Sequence, residues 1–243
     1  MEANSTPSCL HMRAGVVADD ATAPLPVQAF AGDPLADGRT YYLFDETLGY
    51  GAGISLSGPR DGDVTLAHTE FTVISEGELT LVQGDGTSVT LKAGDCAVLP
   101  AGISMGWKQA KPVSRTFMVF PGIRGGSSAI VKIDPQSDLV ASDGPARALL
   151  LTSPPPVAQS RICFEDPSGE VQAGVWECTP YSRKSLRPAH SELMHILSGA
   201  VTFTQPSGRS WTVRAGETII VPAGAENAWS SDVTVRKVFC IIG

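Results

Sequence analysis

The chain has 243 residues, enough for one large domain or two small ones. A composition of 42% hydrophobic and 18% charged residues argues for a packed core over disorder, and 25 glycines with 18 prolines favour a turn-rich β chain over a helical one. The formal net charge of −7 argues against nucleic acid and anionic membranes as partners, since both need basic surface.

From the N-terminus onward, "MEANSTPSCLHMRAGVV" lacks a basic-then-apolar leader pattern, and no apolar run approaches the ~18 residues of a membrane span. A cytoplasmic location is therefore expected. The five cysteines (9, 96, 163, 178 and 240) are scattered and form no CxxC pair, so free thiols are expected, not a disulfide framework or a zinc ribbon.

The middle of the chain repeats itself. "AHTEFTVISEGELTLVQGDGTSVTLKAGDCAVLPAGISMGW" (67–107) aligns without a gap on "AHSELMHILSGAVTFTQPSGRSWTVRAGETIIVPAGAENAW" (189–229), at an offset of 122. His68, Glu70, Gly77, Gly94, Pro100 and Trp107 each meet an identical residue. "VSRTFMVF" (113–120) then lies over "VRKVFCII" (235–242), and "AGIS" (52–55) lies over "AGVW" (173–176) only after a one-residue shift.

Each copy reads as short strands between turns. Glu78–Val82 and Ser88–Leu91 alternate around a "GDG" hairpin, "KAGD" is a second turn, and "CAVLP" is a short buried strand closed by "PAG". The implied class is all-β, a tandem duplication of one sandwich or barrel. Residues 1–35 read as an N-terminal extension, 36–124 as the first barrel, 125–155 as a linker and 156–243 as the second barrel. The linker contains "SPPP", which does not suit a central strand or a helix interior, and "GPARALLL", which suits a single helical turn.

The pattern Gly-x5-Pro-x-Gly occurs twice, as "GDCAVLPAG" and "GETIIVPAG", each preceded by Glu-x6-Gly (Glu70 to Gly77, Glu192 to Gly199). These resemble the two signature motifs of the cupin superfamily, whose fold is a jelly-roll barrel. "AGAENAWSSDVTVRK" and "GVWECTP" resemble the subgroup holding EutQ-like domains and the cupin domain of (S)-ureidoglycine aminohydrolase. The resemblance implies a bicupin, a fold that hosts many chemistries.

It also implies a metal site of the form His-x-His-x3–4-Glu with a later His. At the shorter spacing, the first two places fall on Val64 and Leu66 in one copy and on Leu186 and Pro188 in the other; the later place falls on Met105 and Asn227. All three imidazoles are missing twice over. No cofactor and no metal ligand is therefore expected, the alternative being a divalent metal in the C-terminal barrel. The aminohydrolase-like pattern would use the places of Leu186, Pro188 and Glu192, and only the carboxylate of Glu192 suits a metal.

Strand parity places His190, Glu192, Met194 and Ile196 on one face, and Leu193, His195 and Leu197 on the other. His190 and Glu192 are thus candidate catalytic residues, as a proton-moving or substrate-orienting pair. Asn227, Lys237, Arg187 and Tyr181 are candidate ligand contacts, with Arg183 and Lys184 beside them in the same segment. The first-barrel counterparts are His68, Glu70, Met105 and Arg115, of which Met105 is expected to fill volume. Any site is expected in the C-terminal barrel, where the polar set is richer.

Three readings stay open at this stage: a small-molecule-binding bicupin without the usual metal triad, an aminohydrolase-like or epimerase-like enzyme using His190 and Glu192, and a non-catalytic dimer scaffold. A small-molecule ligand and a homodimer or intramolecular barrel pair are the expected partners.

Overall fold

The structure, a computed structural model, describes residues 8–18, 23–26, 30–121 and 127–243. The first barrel's expected end near 124 lies outside the described residues. The chain divides into two compact units: Ala14–Ile133 with Phe164–Glu170, and Met1–Arg13 with Asp134–Cys163 and Val171–Gly243. No helix among the described residues is long and apolar enough to cross a membrane.

Each unit is a barrel of two antiparallel sheets. In the first, one sheet runs Val131–Ile133, Cys96–Leu99, Thr69–Glu76, Val113–Phe120, Tyr50–Ser57, Arg39–Asp45, and the other runs Arg60–Thr65, Ser104–Gln109, Glu78–Val82, Ser88–Lys92. In the second, one sheet runs Val140–Ser142, Ala158–Glu165, Val171–Cys178, Val235–Ile242, Ser191–Ser198, Thr218–Val221, Leu10–Arg13, and the other runs Tyr181–Leu186, Asn227–Ser231, Ala200–Thr204, Ser210–Arg214. Thr69–Glu76 and Ser191–Ser198 start and end at matching places of the two copies, as do Val113–Phe120 and Val235–Ile242. The chain is a duplicated all-β barrel.

The turns between these strands explain the repeated glycines. Gly77 and Gly199 connect the long strand of each copy to the next strand at φ +89° and +83°. A side chain at either place would also run into the backbone carbonyl of Pro112 or Thr234. Alternation supplies the two cores: Leu79, Leu81, Leu91, Leu99, Met105 and Trp107 fill the first, and Val201, Phe203, Trp211, Val213, Ile219 and Trp229 the second.

The N-terminal extension carries a core strand. Leu10 and Met12 are each 1% exposed and pair with Ile220 and Thr218. His11 Nε2 lies 3.0 Å from Glu217 Oε2, and Arg13 Nε donates to Glu217 Oε1 at 2.6 Å, tying the strand down. The segment read as a linker carries the strands Val131–Ile133 and Val140–Ser142 and a 3-10 turn at Arg147–Leu149, the last within "GPARALLL". The cysteines are free, and four of the five are buried.

The one-residue shift between the copies is a β-bulge. In the first barrel, Gly62 pairs with Trp107 and Val64 with Met105 without interruption. In the second, Arg183 pairs with Trp229 and Leu186 with Asn227, so one extra residue intrudes between them. Bulges re-aim the side chains beside them, and here the side chain is Arg183.

Candidate functional site

The second barrel holds a cavity of about 690 Å³, whose lining includes His190, Glu192, Asn227, Lys237, Arg187 and Tyr181. Glu192 comes from the long strand Ser191–Ser198, and Lys237 from its neighbour Val235–Ile242. Lys237 Nζ donates to Glu192 Oε1 at 2.7 Å. The same ammonium lies 4.7 Å from the ring centre of Trp176 and 5.6 Å from that of Trp229, so aromatic faces flank the ion pair. Trp229 in turn stacks on Tyr181, with centroids 5.4 Å apart and planes 9° apart, and meets Phe203 edge-on.

Asn227 is buried and already committed. Its Nδ2 donates to Ala225 O at 2.8 Å, while its Oδ1 accepts from Arg183 Nη2 at 2.9 Å. Arg183 Nη1 donates to Asn227 O at 2.6 Å and to Lys184 O at 3.2 Å. Arg183 lines the cavity, its guanidinium hydrogen bonds go to neutral oxygens, and burial draws its pKa below the ordinary value. Arg187 lies at the exposed side, where its Nε donates to Glu226 at 2.8 Å. His190 lines the cavity from just ahead of the strand, which begins at Ser191 and not before His190. His195 is on the other face: it is buried, with Nδ1 3.0 Å from Thr218 Oγ1, and desolvation lowers its pKa to about 4.

The equivalent region of the first barrel is filled. Glu70 accepts from Arg115 Nη1 at 2.5 Å and from Arg39 Nη2 at 2.6 Å, and Arg39 Nε lies 2.7 Å from Asp33 Oδ2. The side chains of these four residues are at most 3% exposed. Burial alone would raise the Glu70 carboxyl, but the two guanidiniums outweigh it and hold the group below its ordinary pKa. His68 is not brought to Glu70; its Nε2 lies 3.1 Å from Ala31 O. Met105 is 1% exposed and belongs to the apolar core. A hollow of about 300 Å³ remains beside Arg115, Trp107 and Ser55, and Glu70 is not part of its wall.

Two exchanged arginines contribute to the difference between the barrels. Gly53 and Gly174 each face a backbone carbonyl of the adjoining strand, that of Thr40 in one barrel and of Arg161 in the other. Arg39 therefore corresponds to Ser160, and Ser160 lines the cavity. Gly62 and Arg183 correspond in the same way, each opposite its tryptophan. Arginine closes the first barrel from one side. The second has serine at that place and offers a cation from the other.

The sequence reading did not single out Arg39, Asp33, Ser160 or Trp176. Their signal was the one-residue shift upstream of the long strand, which hides the correspondence of Arg39 with Ser160 until the bulge is located.

The superfamily's metal does not fit these residues. The places of the missing imidazoles hold Leu186 and Pro188, which offer no donor, and Asn227, whose amide is spent on Arg183 and Ala225. Among the described residues no three His, Cys, Asp or Glu side chains converge on a point.

Comparison with known proteins agrees with this architecture. A protein of unknown function from Pseudomonas syringae pv. tomato str. DC3000 is 30% identical in sequence, with a TM-score of 0.88 over 97% of this chain and 99% of that one. A cupin 2 conserved barrel domain protein from Leptotrichia buccalis shares the fold at 10% identity and a TM-score of 0.55, over 84% of this chain and 87% of that one. A putative glyoxylate induced protein from Pseudomonas aeruginosa does so at 15% identity and 0.54, over 99% and 90%. No curated protein matches the chain. The EutQ-like cupin domain matches residues 54–117 and 165–239, one segment in each copy, and the chain belongs to that family.

Proposed function

We propose that the C-terminal barrel binds a small carboxylate-bearing molecule without a transition metal. The observation that carries this reading is Arg183: it lines a cavity of drug-like size, and among the described residues its guanidinium donates to the Asn227 and Lys184 oxygens and to no carboxylate. A carboxylate entering the cavity would find a charged donor, and charge-assisted hydrogen bonds are about twice as strong as neutral ones. The walls suit a small organic acid, since Trp176, Tyr181, Phe203 and Trp229 supply apolar surface beside the polar side chains.

Saturation-transfer NMR with short monocarboxylates and their amides tests it. The acids should receive magnetisation and the amides little, and Arg183→Gln should remove the difference while circular dichroism stays unchanged. Equal transfer to acids and amides would sink the reading.

A second reading is an enzyme using His190 and Glu192 as acid and base. It is supported by both side chains lining the same cavity, although Glu192 is already held by Lys237. Turnover of a bound acid that is lost in both His190→Ala and Glu192→Gln would favour it.

A further inference from the structure

The first barrel contains, as part of its own chain, a group seated where a ligand of the second would sit. Two of the Arg39 guanidinium's contacts matter here, beside its ion pair with Asp33 at 2.7 Å: Nη2 donates to Glu70 Oε2 at 2.6 Å, and the guanidinium carbon lies 4.3 Å over the centre of the Phe117 ring. The other carboxylate oxygen, Oε1, belongs to Arg115. Both features have counterparts in the second barrel. Glu192 stands for Glu70, with Oε1 taken by Lys237, and Phe239 stands for Phe117. Glu192 and Phe239 both line the cavity, together with Ser160 at the place of Arg39. The second barrel therefore keeps the carboxylate and aromatic parts of a guanidinium receptor, without a shown counterpart of Asp33, and lacks the tethered guanidinium itself.

The geometry points to a ligand whose head is a planar cationic N–H donor of the guanidinium or amidinium class, seated between the second oxygen of Glu192 and the face of Phe239. This rests on the carboxylate reading above and deepens it: the acid end goes to Arg183, so the ligand is a small guanidino acid. Two physical points support it. A guanidinium can stack its plane on an aromatic face while its edge donates to a carboxylate, as Arg39 does in the first barrel, whereas an ammonium meets both only as a point charge. A zwitterion also brings no net charge to a wall that holds Arg183, Arg187 and Lys237 against Glu192 and an exposed Asp143.

Isothermal titration calorimetry on the full chain tests this with four probes: guanidinoacetate, its neutral ureido counterpart N-carbamoylglycine, 3-aminopropionate and propionate. Guanidinoacetate should bind about tenfold or more tighter than the other three, because only it presents a planar charged donor to Glu192. Ser160→Arg should rebuild the first barrel's arrangement and abolish binding, with the fold monitored by circular dichroism. The wild-type ranking decides the matter even if that variant does not fold. N-carbamoylglycine or 3-aminopropionate binding as tightly as guanidinoacetate would overturn the proposal. So would guanidinoacetate binding no tighter than propionate, a result that leaves the carboxylate reading standing. Failure of all four, with no response to Arg183→Gln, would overturn both.

Discussion

Lys237 holds one oxygen of Glu192 at 2.7 Å, with the ring of Trp176 beneath the ammonium. The same pairing recurs between Arg115 and Glu70 in the first barrel, where Trp107 takes the part of the aromatic partner at 5.3 Å. The shared scaffold is thus a carboxylate, a cation from the neighbouring strand and a tryptophan. What surrounds the carboxylate differs: two buried guanidiniums in one barrel, a cavity in the other.

Removing one member of each pair should expose that difference. Lys237→Met strands Glu192 beside a cavity that water can enter and should cost about 1–2 kcal/mol. Glu192→Gln keeps the shape and a hydrogen-bond acceptor, so the fold should stay intact while ligand affinity falls. Urea titration of both variants, with calorimetry on the second, checks this; a Lys237→Met loss above that of the first-barrel variant below would contradict it.

In the first barrel, Arg39→Ala leaves Asp33 and half of Glu70 buried without a countercharge. Breaking one partner out of such a buried network costs about 3–5 kcal/mol. The chain should show a separate early transition by calorimetry, or low soluble yield. A variant as stable as the parent would mean that water reaches the site and solvates both carboxylates.

The pH dependence has a window of its own. The His195 pKa falls to about 4 in the folded state from an ordinary 6.5, because burial disfavours the imidazolium. Between these values the unfolded chain binds the proton and the folded chain does not, so stability is full above pH 6.5 and is lost as pH falls toward 4. The loss amounts to at most about 3 kcal/mol. The depressed carboxylates Glu70 and Glu217 act lower, below their ordinary 4.5. Comparing urea midpoints at pH 7.5 and 5 for the parent and His195→Gln should show a drop in the parent and a smaller one in the variant.

Gly199→Ala should be among the most damaging single-methyl changes in the chain. The position sits at φ +83° and its Cβ would meet Thr234 O. Strain at such a φ alone costs of order 1 kcal/mol, and the collision adds to it. Thermal denaturation should show a clear fall in midpoint; Gly208→Ala, at a similar φ of +85° but with open space around it, should fall less.

Much of the fold was legible because duplication doubles every signal. The pairs Glu70/Glu192, Gly77/Gly199 and Pro100/Pro222 fix turn and strand positions without any other sequence, and alternation across Glu78–Val82 does the rest. The floor of the site was legible from parity, which puts Glu192 on the face opposite His195. Arg39 was not. Its partners Asp33, Glu70 and Phe117 are distant in sequence, and a charged residue at the start of a strand looks like any solvated end. His68 and His190 look identical in sequence, yet one turns to the Ala31 carbonyl and the other lines a cavity, because the loops around them differ.

The extra edge strands carry a consequence for how the chain can be divided. Leu10–Arg13, from the first half of the sequence, completes the sheet of the second barrel at Thr218–Val221; Val131–Ile133, from the second half, completes the sheet of the first at Cys96–Leu99. The exchange is reciprocal, so a cut between the halves severs a handshake. A fragment of residues 1–121 would present Cys96–Leu99 as a naked edge while carrying a spare strand of its own. Two such fragments have what each other lacks, and the fragment should therefore assemble as a pair, the covalent link between the halves being what lets one chain do this alone.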